Sequence, residues 1–343
     1  MKNTILVIGA AGYLGTCVCR KLLQEGYQIK GLIRPNDQII SQLTDKIEIY
    51  RGSVSSYHDV LQAAEGSDII INCAVIMPDR NNTIPWDDYR ETNLEGGKII
   101  LNVAEQEGIK FVILISTAGV LEVKSGDDST NDDNPLREGF NYYLKSKIDF
   151  ERWLYDNKDI HYPNWVVLRP SSIYGPGLSF KWPQIVEMIK TGKANMIGNG
   201  RALHPLIHVS DLTDAIYKAV TCPVEKIRGQ RIIISSSEKI RVRDVMETLA
   251  NYYGVSMPIR IPYHLAIAAA YAVSMLPRSW CSERMLLLTP GNIREYAIDR
   301  NYDTSKAKNL LNFEFKIPFD EGMSGMLDDI ENKISQKEGN SHD

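Results

Sequence analysis

Cysteine is scarce and unpatterned in this 343-residue chain: Cys17, Cys19, Cys73, Cys222 and Cys281 form no CxxC pair and have no histidine at metal-ligand spacing. Neither a disulfide framework nor a thiolate centre organises such a sequence, and no metal is expected. A basic surplus is missing as well. Lys plus Arg number 39 against 43 Asp plus Glu, a formal net charge of −4, so no electropositive field holds nucleic acid by counterion release. Long hydrophobic runs are also absent. The most apolar stretch, Ile261 to Leu276, falls short of the roughly 20 residues that span a bilayer and ends at Pro277. It reads as a buried or cleft-lining helix, so membrane contact is not expected. The apolar N-terminal run ends at once in a glycine turn with no cleavage-type sequence, which makes it a strand rather than a leader and the protein cytoplasmic. What remains is ordinary globular composition, 43% hydrophobic and 24% charged, long enough for one large domain or two that share a cleft.

Apolar runs of strand length alternate with helical patterns through the first half. Strands are expected at Thr4 to Ile8, Ile29 to Ile33, Ile69 to Asn72, Phe111 to Ser116 and Trp165 to Arg169. Helices are expected at Leu14 to Glu25, His58 to Ala64, Leu94 to Glu107 and Tyr143 to Asp156. This alternation implies an α/β fold with a doubly wound parallel sheet. Beyond Gly175 the pattern loosens through Pro176, Gly177, Pro183 and a turn at Gly198 to Gly200 before helices near Leu212 to Val220 and Val242 to Tyr253. The chain is therefore divided into a dinucleotide-binding core over 1–175, a smaller C-terminal substrate-binding lobe over 176–330 interleaved with it, and a disordered polar tail over 331–343.

The first strand runs into Gly9-Ala10-Ala11-Gly12-Tyr13-Leu14-Gly15 and an apolar helix. Glycine lets the backbone approach phosphate closely, and a helix start offers unpaired N–H groups and a positive dipole end. Gly9, Gly12, Tyr13, Leu14 and Gly15 are thus candidates for holding a dinucleotide pyrophosphate.

The spacing GxxGxxG resembles the extended branch of the short-chain dehydrogenase/reductase superfamily, a Rossmann-type fold. Ser116-Thr117-Ala118-Gly119-Val120, the YxxxK pattern Tyr143 to Lys147, Arg169-Pro170-Ser171-Ser172-Ile173-Tyr174-Gly175-Pro176-Gly177 and His208-Val209-Ser210-Asp211 follow in the family's order. The resemblance covers the chain to about Asp320 and is nearest the 3β-hydroxysteroid dehydrogenase-like and dihydroflavonol reductase-like members. It implies an oxidoreductase in which Tyr143 exchanges a proton with the substrate oxygen, Lys147 holds the nicotinamide ribose and tunes Tyr143, and Thr117 hydrogen-bonds the reacting oxygen. Asn93 and Pro170 match family positions beside the cofactor. The residues argue for the same chemistry independently. A tyrosine and a lysine four apart share one helical face, and a nearby ammonium lowers a tyrosine pKa from about 10. Tyr142 is the rival tyrosine, but its partner four residues on is Ser146, which carries no charge.

NAD-preferring members resemble a pattern with Asp at the end of the second strand. Here that place holds Ile33, followed by Arg34, whose guanidinium suits a 2′-phosphate. NADP(H) is favoured and NAD(H) is the alternative. Ser53 stands where the family commonly places an adenine-binding Asp.

Nucleotide-sugar enzymes of this branch commonly carry a pyrophosphate-binding arginine where this chain has His204, although Arg201 lies close by. The apolar segment Pro262 to Pro277 with Met285 to Leu288 fits a greasy lobe, with Leu265, Ala269, Val273 and Leu276 lining the cleft. The expected activity interconverts a ketone and a secondary alcohol on a fairly apolar small molecule. A nucleotide-sugar epimerase or dehydratase and a non-catalytic cofactor sensor are the alternatives. Self-association as a homodimer stays open.

Overall fold

The structure, a computed structural model, describes residues 3–78, 83–123, 129–157, 164–178, 182–277, 280–282, 285 and 288–339. The strands are β1 (Thr4–Ile8), β2 (Gln28–Ile33), β3 (Glu48–Arg51), β4 (Ile69–Asn72), β5 (Phe111–Ile115), β6 (Trp165–Pro170), β7 (Ser172–Tyr174), β8 (Asn195–Ile197), β9 (Leu206–His208), β10 (Gln230–Ile234) and β11 (Ile259–Ile261). Seven of them form a sheet of order β10-β6-β5-β4-β1-β2-β3, parallel throughout. Short parallel pairs β7–β9 and β8–β11 lie outside it.

Counting those of seven residues or more, the helices are α1 (Tyr13–Gln24), α2 (Tyr57–Ala64), α3 (Gly96–Gln106), α4 (Tyr142–Asp156), α5 (Trp182–Lys190), α6 (Val209–Thr221), α7 (Val242–Tyr253), α8 (Tyr263–Ser274), α9 (Pro290–Ala297), α10 (Ser305–Leu311) and α11 (Phe319–Gly339). The central strands are buried on both faces, and alternate residues feed opposite cores. Ile5, Val7, Ile69, Ile71, Phe111 and Ile113 pack with α1, α6 and α10 on one side. Leu6, Ile8, Ile70, Val112 and Leu114 pack with α2, α3 and α4 on the other. Strand order reverses between β1 and its neighbours β2 and β4, and the glycine turn opens onto that crevice.

Several expectations needed revision. β3 was not anticipated because its four residues alternate too weakly, and β10 returns from the second half of the chain to the edge of the main sheet. The helix expected from Leu94 begins instead as a π-helical segment, Arg90–Glu95, running into α3. The polar tail is helical through Gly339 as part of α11, where disorder was expected. Its inner turns present Met323, Met326, Leu327 and Ile330 to the lobe's core, which carries the helix onward past the point where composition turns polar.

Helix α1 approaches the turn after β1 closely. Gly9 has φ +81°, and a Cβ on Gly15 would lie 2.1 Å from the Gly9 carbonyl oxygen. Gly15→Ala should therefore cost about 1–3 kcal/mol through forced backbone displacement, read as a lower urea midpoint with an unchanged slope.

Candidate active site

The glycine turn is closed by backbone bonds: Gly9 N–H donates to Leu32 O at 2.8 Å and Gly12 N–H to Gly9 O at 3.0 Å. Gly12 caps α1 with no side chain over the helix end, and the first turn carries no acid. That bare, positive helix start fits a pyrophosphate. Leu14 packs into the core, so only its backbone faces the turn. Tyr13 leans under Gly177, whose Cβ would lie 3.2 Å from the ring, and its buried hydroxyl has no hydrogen-bond partner among the described residues. Pro170 is buried at the end of β6, beside Ile234 of β10.

The three catalytic candidates meet at the end of β5. Thr117 leaves that strand in extended conformation and accepts Gly119 N–H at 3.2 Å, and its side chain lowers the Tyr143 pKa. Asn141 caps α4 by accepting Leu144 N–H at 2.8 Å, which sets the helix start from which Tyr143 and Lys147 project. The Lys147 amine is buried and donates to Ile115 O at 2.9 Å. The electrostatics differ from the expectation that Lys147 lowers the Tyr143 pKa. Burial dominates at both groups, pushing the phenol up to about 12, with Thr117 opposing, and the amine down to about 8. Lys147 is instead supported by the Glu151 carboxylate one turn further along. The rival Tyr142 is exposed and lies against the Trp86 and Tyr89 rings.

Asn93 is buried. Its Nδ2 donates to Ser146 Oγ at 2.9 Å and Ile76 O at 3.1 Å, and its Oδ1 accepts Ile76 N–H at 2.8 Å. It therefore ties the segment after β4 to α4. The π-helical turn around it carries no capping signature that sequence could have flagged.

Beneath the site lies a network that motif reading did not assemble. Glu151 on α4 and Arg169 on β6 form a fully buried pair, with Arg169 Nε at 3.1 Å and 3.2 Å from the two carboxylate oxygens and a further, shorter contact through Nη2. Ser116 Oγ donates to Glu151 at 2.5 Å, and Arg169 Nη1 donates to Asp132 O at 2.8 Å. Asp132 in turn accepts Ile233 N–H at 2.5 Å, while burial raises its own carboxyl to about 6. Breaking one partner of such a pair strands a buried charge, so Glu151→Gln should cost about 3–5 kcal/mol, measured by chemical denaturation.

At the far end of the crevice, Arg34 is exposed but engaged by Asp37, with Nε at 2.9 Å and Nη2 at 3.0 Å from its two oxygens. Arg51, which ends β3 beside Ile33, donates to Pro35 O and Asp37 O at 2.8 Å and 2.9 Å. This second guanidinium escaped sequence reading because β3 itself did. Ser53 N–H donates to Asp59 Oδ2 at 2.9 Å, so Asp59 brings a carboxylate to the place where Ser53 had seemed to leave none.

On the substrate side, Arg137 and Arg300 share the Glu295 carboxylate, joining the segment before α4 to α9. Gly291 of α9 abuts the Phe140 ring, where a Cβ would lie 2.8 Å away. Arg201 is exposed. The expectation of a buried α8 is corrected: only Ala266 and Ala270 of this helix are buried, while Leu265, Ala269 and Leu276 are exposed and Val273 is half-buried. Alanine-rich sequence gave no face to bury, so the period carried no direction. Met285 and Leu288 are described, but 286–287 lie outside the described residues. Among the described residues no cluster of metal-ligating side chains occurs, and no helix is long and apolar enough to cross a membrane.

Comparison with known proteins agrees with this geometry. A sterol-4-alpha-carboxylate 3-dehydrogenase, decarboxylating, from Candida albicans is 24% identical over 95% of this chain and 97% of its own length. A 2-alkyl-3-oxoalkanoate reductase from Shewanella oneidensis is 24% identical over 92% of this chain and 84% of its own. The crystal structure of UDP-glucuronic acid 4-epimerase from Bacillus cereus in complex with NAD superposes with a TM-score of 0.73 at 19% identity, covering 96% of this chain and 99% of that one, a likeness of fold. The sequence profile of the NAD dependent epimerase/dehydratase family matches residues 5–235. The chain belongs to that family, the extended short-chain dehydrogenase/reductases, and is an NAD(P)-dependent oxidoreductase.

Proposed function

We propose that this protein interconverts a ketone and a secondary alcohol on a fairly apolar small molecule, with NADP(H) as the hydride carrier. The observation that carries the reading is the convergence of Thr117, Tyr143 and the buried Lys147 amine at the end of β5. A nicotinamide bound in the crevice supplies the hydride, or takes it in the reverse direction.

The protein's own groups handle the oxygen. Tyr143 keeps its proton at neutral pH because burial holds its pKa near 12, so it acts as the acid that protonates a developing alkoxide. Thr117 steadies the same oxygen through its hydroxyl. Lys147, anchored on Ile115 O, is placed to hold the ribose hydroxyls.

The substrate reading draws support from the named relatives, a sterol-carboxylate dehydrogenase and an alkyl-oxoalkanoate reductase. It rests also on the absence of an arginine at His204, where a diphosphate would want a clamp. Assayed with NADPH against a panel of hydrophobic ketones and UDP-, GDP- and dTDP-sugars, the protein should turn over the former alone. Tyr143→Phe should lower that rate by roughly 100- to 10,000-fold while leaving the fold intact, and Tyr142→Phe should leave the rate near that of the parent. Turnover of a nucleotide sugar, or an active Tyr143→Phe, would overturn the assignment.

The cofactor reading rests on Arg34 and Arg51 standing together at the ends of β2 and β3. The nearest described acid, Asp37, has both carboxylate oxygens on Arg34, and a 2′-phosphate would take its place with a second charge-assisted fork. Arg34→Ala should weaken NADPH binding by about 1.5–3 kcal/mol and leave NADH almost unchanged. Titration of both cofactors against both proteins decides it. Equal losses, or a parent preference for NADH, refute the phosphate-reading role.

A further inference from the structure

Charge on the substrate side does not balance. Arg137 Nη2 lies 2.7 Å from one oxygen of Glu295, and Arg300 takes the other. Among the described residues neither guanidinium is paired with a second acid, so the three groups together hold one positive charge in excess. Arg300 is buried and also spends its Nη1 on the Glu295 backbone carbonyl at 2.9 Å. Arg137 is different. Its side chain is 18% exposed, and among the described residues only its Nη2 is bonded, which leaves the Nε and Nη1 edge of the fork open. The Phe140 ring, centred 5.2 Å from the Arg137 Cζ, removes water from one side of the charge. A guanidinium that is largely desolvated, short of a counter-charge and open along one edge suits a planar anion.

The backbone fixes this charge near the proton-handling groups. Arg137 N–H donates to Val120 O at 2.9 Å, and Val120 ends the single turn that Thr117 caps. Arg137 also belongs to the short segment that leads into α4 and Tyr143. Tyr302, which lies in the field of Arg137, Arg300 and Glu295, packs with Tyr143 against the apolar cluster of Ala118, Val120 and Leu144. A single excess charge also selects the ligand. It matches one carboxylate, whereas a diphosphate would leave negative charge unpaired in a half-buried place.

We propose that Arg137 binds a carboxylate on the substrate, so that the ketone and alcohol handled at Tyr143 belong to an oxo- or hydroxycarboxylic acid with an apolar body. The anion site stands by itself, and its attribution to the substrate rests on the ketone–alcohol reading. Titration calorimetry in saturating NADP+ with octanoate and with its neutral analogue octanamide reads the site without turnover. Octanoate should bind about 10-fold more tightly than octanamide, Arg137→Gln should erase that difference, and Arg137→Lys, which keeps the charge without the fork, should keep part of it. Glu295 retains Arg300 in both variants, so neither strands a bare carboxylate. With NADPH, medium-chain oxo acids should be reduced with a kcat/KM about 10- to 100-fold above that of their methyl esters, and Arg137→Gln should collapse this ratio chiefly through a raised KM for the acids. Equal affinity for octanoate and octanamide, or a preference that survives Arg137→Gln, overturns the carboxylate site. Esters reduced as well as the acids overturn the substrate assignment and leave the ketone reading in place. A clear octanoate preference with no turnover of any oxo acid or ester overturns the ketone reading and leaves the carboxylate site standing.

Discussion

Glu151 and Arg169 have no water to hydrate them, so each charge is sustained only by the other and by the groups around the pair. Those surrounding groups come from four further places: Ser116 at the end of β5, the Asp132 backbone, Ile233 of β10 through the Asp132 side chain, and Lys147 through the field of Glu151. One ion pair thus fixes the approach of α4 to β5 and β6 and locks the returning strand β10 to the same place. Tyr143 and Lys147 inherit their positions from that arrangement. Because a buried pair tolerates little displacement, the geometry of the proton-handling groups is set before any ligand arrives.

The same burial reverses the simplest reading of a tyrosine and a lysine four residues apart. Spacing places them on one face, but it does not say how much water they retain. Where water is removed from both, the neutral forms gain, and the phenol holds its proton more firmly instead of less. The Tyr143 phenol is accordingly protonated at neutral pH.

The central strands were legible because runs such as Ile69 to Ile71 are apolar at every position and bounded by polar residues, here Asp68 and Asn72, and the glycine turn announces its own helix. Local pattern carried that much. Arg51 was hidden because a four-residue strand at the sheet edge alternates too briefly to be seen, although its guanidinium ends up beside Arg34. Asn93 matched a family position beside the cofactor, but sequence gave no sign that its amide also bonds Ile76 and Ser146, partners distant along the chain. Apolar composition identified α8 as a helix but could not tell inside from outside, because that choice depends on what else is close enough to cover it. Where a side chain's fate was decided by neighbours far along the chain, the sequence was silent.

The turn after β1 is also coupled to a distant helix. Tyr13, at the start of α1, lies beneath Gly177, and the Gly177 N–H is held at 2.8 Å by Asp329 of α11. The cover over Tyr13 thus depends on a carboxylate more than 300 residues further along the sequence, so a change at Asp329 reaches the glycine turn through the Gly177 backbone.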